Sequence, residues 1–217
     1  MHLNDISLYL DVDEYSDSTS EFQFRSRYLC NYVRRRIAPL RIQTEGFGSI
    51  AVRGCREPRN GCSIEGDKVA IATVKFDKQR YDSLPPADCH EFFIAMLLEG
   101  LGKCARQFSI PMAELQSSID DFRAGGYRNE WTFKRQTLRA AGLQVALNCS
   151  LDMEKFTLAL KLERNGGVVY DEPILETKPD ELIFAHKFKD VVIEGHTLVV
   201  TNRVGKPTFS LALDSLP

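Results

Sequence analysis

The stretch 88-DCHEFFIAMLLEGLGKCAR-106 opens on His90-Glu91 and runs directly into an apolar pattern of helical period. Two readings compete for it, half of a metal site or a core helix. A zinc helix of the His-Glu-x-x-His kind needs a second histidine four residues on, because i and i+4 share a face. That position is Ile94. Glu99 lies nine residues from His90, which at 3.6 residues per turn is the opposite side. Phe93, Leu97, Gly100, Leu101, Cys104 and Phe108 form a continuous apolar stripe instead, and Asp88 and Glu91 suit the positive end of a helix. The stretch therefore reads as a core helix over about 86–107. Gly100 and Gly102 each weaken it by roughly 1 kcal/mol relative to alanine, so they are expected where another element approaches closely.

Working outward, Leu3, Ile6, Leu8 and Leu10 alternate as in a strand. DVDEYSDSTSE reads as an acidic turn, and EFQFRSRYLCNYVRRRIAP as a helix capped by Ser18, Thr19 or Ser20 and stopped by Pro39. RIQTEGFGSIAVRG and KVAIATVKFD are expected strands joined by a loop containing REPRNG. A second central helix is expected from Pro111 to about Ala124, ended by Gly125-Gly126. From about 131 the period falls to two. LQVALNCS, FTLALKLER, GVVYDE, ELIFAH, DVVIEG, TLVVTNR and TFSLALD are seven strand candidates, with a hairpin turn at Asn165-Gly166. WTFKRQTLRAAG fits a strand near Trp131 and a helix near Leu138. The expected fold is α+β: central helices packed on antiparallel sheet, followed by a C-terminal β-meander. Residues 1–217 are read as a single domain, with a possible subdivision into a mixed α/β segment, 1–126, and a β-rich segment, 127–217.

The 217 residues are 43% hydrophobic and 27% charged, enough apolar material for a core. A net charge of −2 argues against a surface built wholly for nucleic acid. No apolar run approaches the length of a membrane span, and the acidic start lacks the basic flank of a signal peptide. A cytoplasmic protein that does not enter membranes is expected. Its six cysteines are then expected to be free thiols.

Several motifs are incomplete. GFGSIAV resembles a kinase glycine loop with Ala51 at the third glycine, VAIATVK has Ala72 where the ATP lysine belongs, and Asp121-Phe122 is followed by Arg123. Asp11, Asp13 and Asp17 have the rhythm of a calcium loop, but Ser16 replaces its glycine and Phe22 its glutamate. Six residues separate Cys55 from Cys62, too many for a usual zinc pair. No cofactor, metal or catalytic residue is assigned. An enzyme of hydrolase type, using Cys89, His90 or His186 at an unrecognised site, is kept as an alternative.

Charge is unevenly placed. Residues 1–24 carry six acids and no Lys or Arg, whereas residues 25–59 hold nine arginines and two glutamates. The arginine segment raises a second alternative, nucleic-acid binding. Against it, Arg34, Arg35 and Arg36 point in three directions around a helix, which suits pairing with the acids. Tyr127, Trp131, Phe133, Phe184 and Phe188 stand beside charged residues, as interface anchors or sheet faces do.

FFIAMLLEGLGKCARQFSIP, DFRAGGYRNEW and KPDELIFAHKFKDVVIEG resemble segments of bacterial immunity proteins, over about residues 85–195. The resemblance implies a cytoplasmic protein that binds one toxin delivered between competing cells and occludes its active site. It transfers no binding residues. Candidate partner contacts, read from charge and aromatic placement, are Asp11, Asp13, Glu14 and Asp17, or Arg34, Arg35 and Arg36, together with Trp131. The acidic set suits a toxin with a basic substrate groove.

Overall fold

Leu3, Ile6, Leu8 and Leu10 all point inward from the start of the chain, and the strand they mark, β1 (Asp5–Leu10), edges the first sheet. The structure is a computed structural model that describes residues 1–66 and 68–216. The chain divides into two compact units, Met1–Asn129 and Glu130–Pro217, and the fold is α+β.

In the first unit, β1 is followed at once by the long helix α1 (Val12–Ile37). The acidic segment is thus helix, not the expected turn. The cap is Asp11, whose side chain accepts from the Asp13 N–H at 3.1 Å, and Asp13 and Glu14 suit the helix N-terminus. Thr19 does not cap. Its hydroxyl donates back to the Tyr15 carbonyl at 2.8 Å. Tyr15 departs from helical geometry and kinks α1, while its buried ring meets Phe76 edge-on at 4.9 Å.

β2 (Ser49–Cys55), β3 (Cys62–Glu65) and β4 (Val69–Lys75) complete a sheet of order β1-β2-β4-β3. β1, β2 and β4 pair in parallel, and only β3 runs antiparallel, to β4. The sheet under the helices is therefore mixed rather than antiparallel throughout. α1 is long enough to serve as the crossover that a parallel β1–β2 pair requires. β2 reads as a nearly continuous buried run, as strands covered on both faces do.

A short helix not foreseen from the sequence, α2 (Lys78–Ser83), is capped by Asp77, which accepts from the Arg80 N–H at 2.9 Å. Then come α3 (Cys89–Ala105) and α4 (Met112–Ala124). α3 lies on β2 and β4, and α4 packs against α1 and α3. A Cβ added to Gly100 would fall 2.3 Å from Val52 of β2, whereas one on Gly102 would meet nothing within 4 Å. Only Gly100 meets the expectation of close approach. Lys103, 7% exposed, donates to the Thr73 carbonyl at 2.8 Å and pairs with Glu99 at 3.0 Å.

The second unit begins with β5 (Glu130–Leu138), β6 (Leu143–Leu151), β7 (Phe156–Arg164) and β8 (Gly167–Thr177), antiparallel in that order. The ambiguous WTFKRQTL is strand throughout, and only Arg139–Ala141 coil into a short 3-10 turn. Asn165 and Gly166 have φ of 52° and 82°, the two positive values that a tight hairpin of this kind needs. ELIFAH is not a strand. Asp180 accepts from the Leu182 N–H at 2.9 Å and caps α5 (Glu181–Phe184). α5 places Phe184 flat on Phe156, 3.7 Å between ring centres, and Phe188 lies parallel to Phe156 at 5.6 Å. β9 (Asp190–Glu194), β10 (Thr197–Thr201) and β11 (Pro207–Ala212) form the expected antiparallel meander. The Gln136 amide donates to the Val191 carbonyl at 2.6 Å and ties the two sheets. Among the described residues, no helix is long and apolar enough to cross a membrane.

The two glycines of α3 give a paired prediction. Gly100→Ala forces α3 away from Val52 and should destabilise the first unit by about 1–3 kcal/mol. Gly102→Ala should be neutral or stabilise by up to about 1 kcal/mol. Urea unfolding followed by far-UV circular dichroism reports the first unit, which holds the long helices, while Trp131 fluorescence reports the second. Equal effects of the two substitutions would refute the close-approach account.

Candidate functional site

The start of α3 gathers a cluster of titratable side chains from three segments of the first unit. The His90 ring stacks on Tyr127 at 4.3 Å with planes 5° apart. Burial raises the Tyr28 pKa, so its hydroxyl keeps its proton, and it shares a hydrogen bond with His90 Nδ1 at 2.5 Å. Burial also lowers the His90 pKa, against a smaller opposing influence of Glu91. Glu91 takes a bidentate pair from Arg123, at 2.9 and 2.8 Å, and a bond from the Tyr127 hydroxyl at 3.0 Å. The Arg123 bonds foremost hold its carboxyl below the ordinary range.

This set does not make a nucleophile–base pair. Cys89 is fully buried, and its sulfur meets Arg25 Nη2 at 3.1 Å and the Pro85 carbonyl at 3.6 Å. Neighbours on a helix diverge by about 100°, so Cys89 and His90 face different surroundings. Arg25 also donates to the Tyr81 hydroxyl at 3.1 Å. His186, the third candidate of the enzyme alternative, belongs to the second unit. Among the described residues, no three His, Cys, Asp or Glu side chains gather as metal ligands would. The His90 cluster couples α1, α3 and the segment after α4. It fits a polar clasp, a network in which a neutral histidine, a protonated phenol and an ionised carboxylate each have partners.

The arginine triplet is occupied within the first unit. Arg34 meets Asp5 at 3.4 Å, Arg35 donates to the Asn129 side-chain oxygen at 2.8 Å, and Arg36 pairs with Asp121 at 2.6 Å. Three directions around α1 lead to three different partners. The acidic candidates divide. Asp11 caps α1 and lies 3.7 Å from Arg53, and Glu14 accepts from the Arg56 N–H at 2.6 Å. Asp13 and Asp17 stay exposed, with Glu21 one turn further on.

Trp131 lies elsewhere, in β5 of the second unit, and borders an open hollow of about 390 Å³. Its ring is 6.1 Å from Phe156. The rest of the lining comes from Glu130, Thr132, Asn148, Ser150, Thr157 and Ala159, with Cys149. Registers Glu130↔Ser150, Thr132↔Asn148, Ser150↔Thr157 and Asn148↔Ala159 put these side chains on one side of the sheet, whereas Trp131↔Cys149 and Cys149↔Leu158 turn the Trp131 and Cys149 side chains to the other. The other side holds Leu147, Leu151, Phe156, Leu158 and Leu160, all buried. Thr132 donates to the Asn148 side-chain oxygen at 2.9 Å. A second hollow of about 290 Å³ shares Asn148 and is bordered by Arg135, Lys161 and Glu163. The face thus runs from small and neutral to charged. Its polar residues were visible in the alternation of LQVALNCS and FTLALKLER, but only strand pairing joins them. Of the other aromatic candidates, Phe184 and Phe188 are core, whereas Phe133 is exposed.

No protein-family model matches this chain, and no curated protein or solved structure is similar to it.

The clasp gives a pH prediction. His90 titrates below its ordinary 6.5 in the folded state, so the unfolded chain binds the proton first, and stability falls as pH drops from about 6.5 through the folded value. Glu91 has a lowered pKa as well, and its contribution is lost only further into the acid, below the ordinary carboxylate range. His90→Gln should flatten the first step and leave the second. Urea midpoints of the helical signal between about pH 7.5 and 3.5 would show this. An unchanged first step in the variant would assign it to another group.

Proposed function

We propose that this chain is a non-catalytic binding protein, an immunity protein that works in the cytoplasm and neutralises a cognate bacterial toxin. The observation that carries the binding reading is the open hollow on the polar side of the β5–β8 sheet. It presents the hydrogen-bonding side chains of Thr132, Asn148, Ser150 and Thr157 on a rigid antiparallel sheet. Rigid strands hold such a surface ready with little ordering cost. Resemblance to immunity-protein segments supplies the class of partner. Exposed Asp13 and Asp17 supply an acidic field that favours a partner with a basic groove.

The alternatives fare less well. An arginine-based nucleic-acid surface would need cations free to meet phosphate, and Arg34, Arg35 and Arg36 are engaged with Asp5, Asn129 and Asp121. A Cys–His hydrolase would need Cys89 hydrogen-bonded to His90, and its partners are Arg25 and Pro85.

A native pull-down from the source cell, with mass spectrometry of the eluate, tests the reading. One stoichiometric protein that stays bound at high salt is expected, and the isolated partner should show toxin activity that this chain suppresses. Asn148→Lys, placed where the two hollows meet, should weaken that complex by about tenfold or more, mainly through faster dissociation. Asp13→Lys with Asp17→Lys should slow association and reduce its salt dependence. Recovery of nucleic acid lost on Arg35→Glu would overturn the proposal in favour of the arginine surface.

A further inference from the structure

Cys62 and Cys104 are 42 residues apart in sequence and lie on different elements, yet their sulfurs are 2.6 Å apart. A disulfide bond is about 2.05 Å long, so the pair needs little movement to close. Cys62 is the first residue of β3, the edge strand, and is held by its own N–H, which donates to the Gln107 side-chain oxygen at 2.6 Å. Gln107 follows the end of α3, three residues after Cys104. This second tie fixes the start of β3 against the same helix end and keeps the two sulfurs in register.

The two thiols are unequal. Cys104 is fully buried. Cys62 is half-buried and lines a small cavity of about 80 Å³ together with Arg59, Asn60, Gly61, Ser63 and Thr73. The other four cysteines, Cys30, Cys55, Cys89 and Cys149, are buried. We propose that Cys62 and Cys104 form a reversible disulfide, in which Cys62 meets the oxidant and Cys104 resolves the product. The hydrogen bond from Cys104 lowers the Cys62 pKa, while the same contact and burial raise that of Cys104. The more acidic thiol is thus the accessible one, which is the order such chemistry needs.

The oxidant is a hydroperoxide. The Cys62 thiolate attacks one peroxide oxygen, an S–O bond forms, the O–O bond breaks, and the departing oxygen takes up a proton. Cys104 sulfur then attacks Cys62 sulfur. The S–S bond forms, the S–O bond breaks, and hydroxide leaves with the Cys104 proton as water. With hydrogen peroxide, two thiols lose two electrons and two protons, and one peroxide becomes two waters. A dithiol reductant reverses the change by exchange. Closure would link the exposed edge of the first sheet to the C-terminal end of α3.

The test uses the full chain, reduced, desalted and treated with a small excess of hydrogen peroxide. Remaining thiols are alkylated under denaturing conditions and the digest is mapped by mass spectrometry. The expected product has lost two alkylatable thiols and yields one linked peptide pair, Cys62 with Cys104, which a dithiol reductant removes. Cys104→Ser should leave Cys62 as a sulfenic acid that reacts with a dimedone probe. Cys62→Ser should leave Cys104 unoxidised over the same time. Six alkylatable thiols after peroxide, a different linked pair, or oxidation of the four other cysteines at the same rate would overturn the proposal. The wild-type map decides the outcome even where a variant folds poorly.

Discussion

The first unit depends on how closely α3 approaches the sheet beneath it. Gly100 leaves no room for a side chain over Val52, so the helix backbone itself contacts β2. That approach fixes both ends of α3. At its start, Cys89, His90 and Glu91 come within reach of Arg25 and Tyr28 on α1 and of Arg123 and Tyr127 at and beyond the end of α4. At its end, Cys104 and the following Gln107 come against Cys62. A helix held further out would lose both clusters together, because a few ångströms exceed the reach of a hydrogen bond.

Electrostatics in this unit bear more on availability than on stability. Exposed ion pairs such as Arg36–Asp121 are worth about 0–1 kcal/mol each. Their effect is to occupy charges that would otherwise face a ligand. The sign of the open surface then follows from which acids have no such task, and on α1 those are Asp13 and Asp17. Asp11 and Glu14, which flank Asp13 closely in the chain, are taken by capping and by the Arg56 backbone.

The second unit works by a different rule. Its central strands β6 and β7 largely alternate, so one side of the four-stranded sheet is mostly leucine and phenylalanine and the other is polar. Phe184 and Phe188 stack with Phe156 on the apolar side, where the Trp131 ring also lies, and the polar side keeps its hydrogen-bonding groups open to the hollow. The same alternation that builds the core therefore builds the candidate binding surface.

The α+β class, the core role of residues 88–106, the Asn165-Gly166 hairpin and the divergence of Arg34, Arg35 and Arg36 were legible in the sequence, because each follows from local period or turn chemistry. The helical state of residues 12–20 was missed although Asp11 signals it, since the same acids also fit a solvated turn. ELIFAH, apolar enough for a strand, became α5 because Asp180 caps it. Parallel pairing of β1, β2 and β4, the clasp around His90 and the approach of Cys62 to Cys104 were decided by tertiary structure alone. Each joins residues far apart in the chain, and a local pattern carries no information about which distant segment closes the contact.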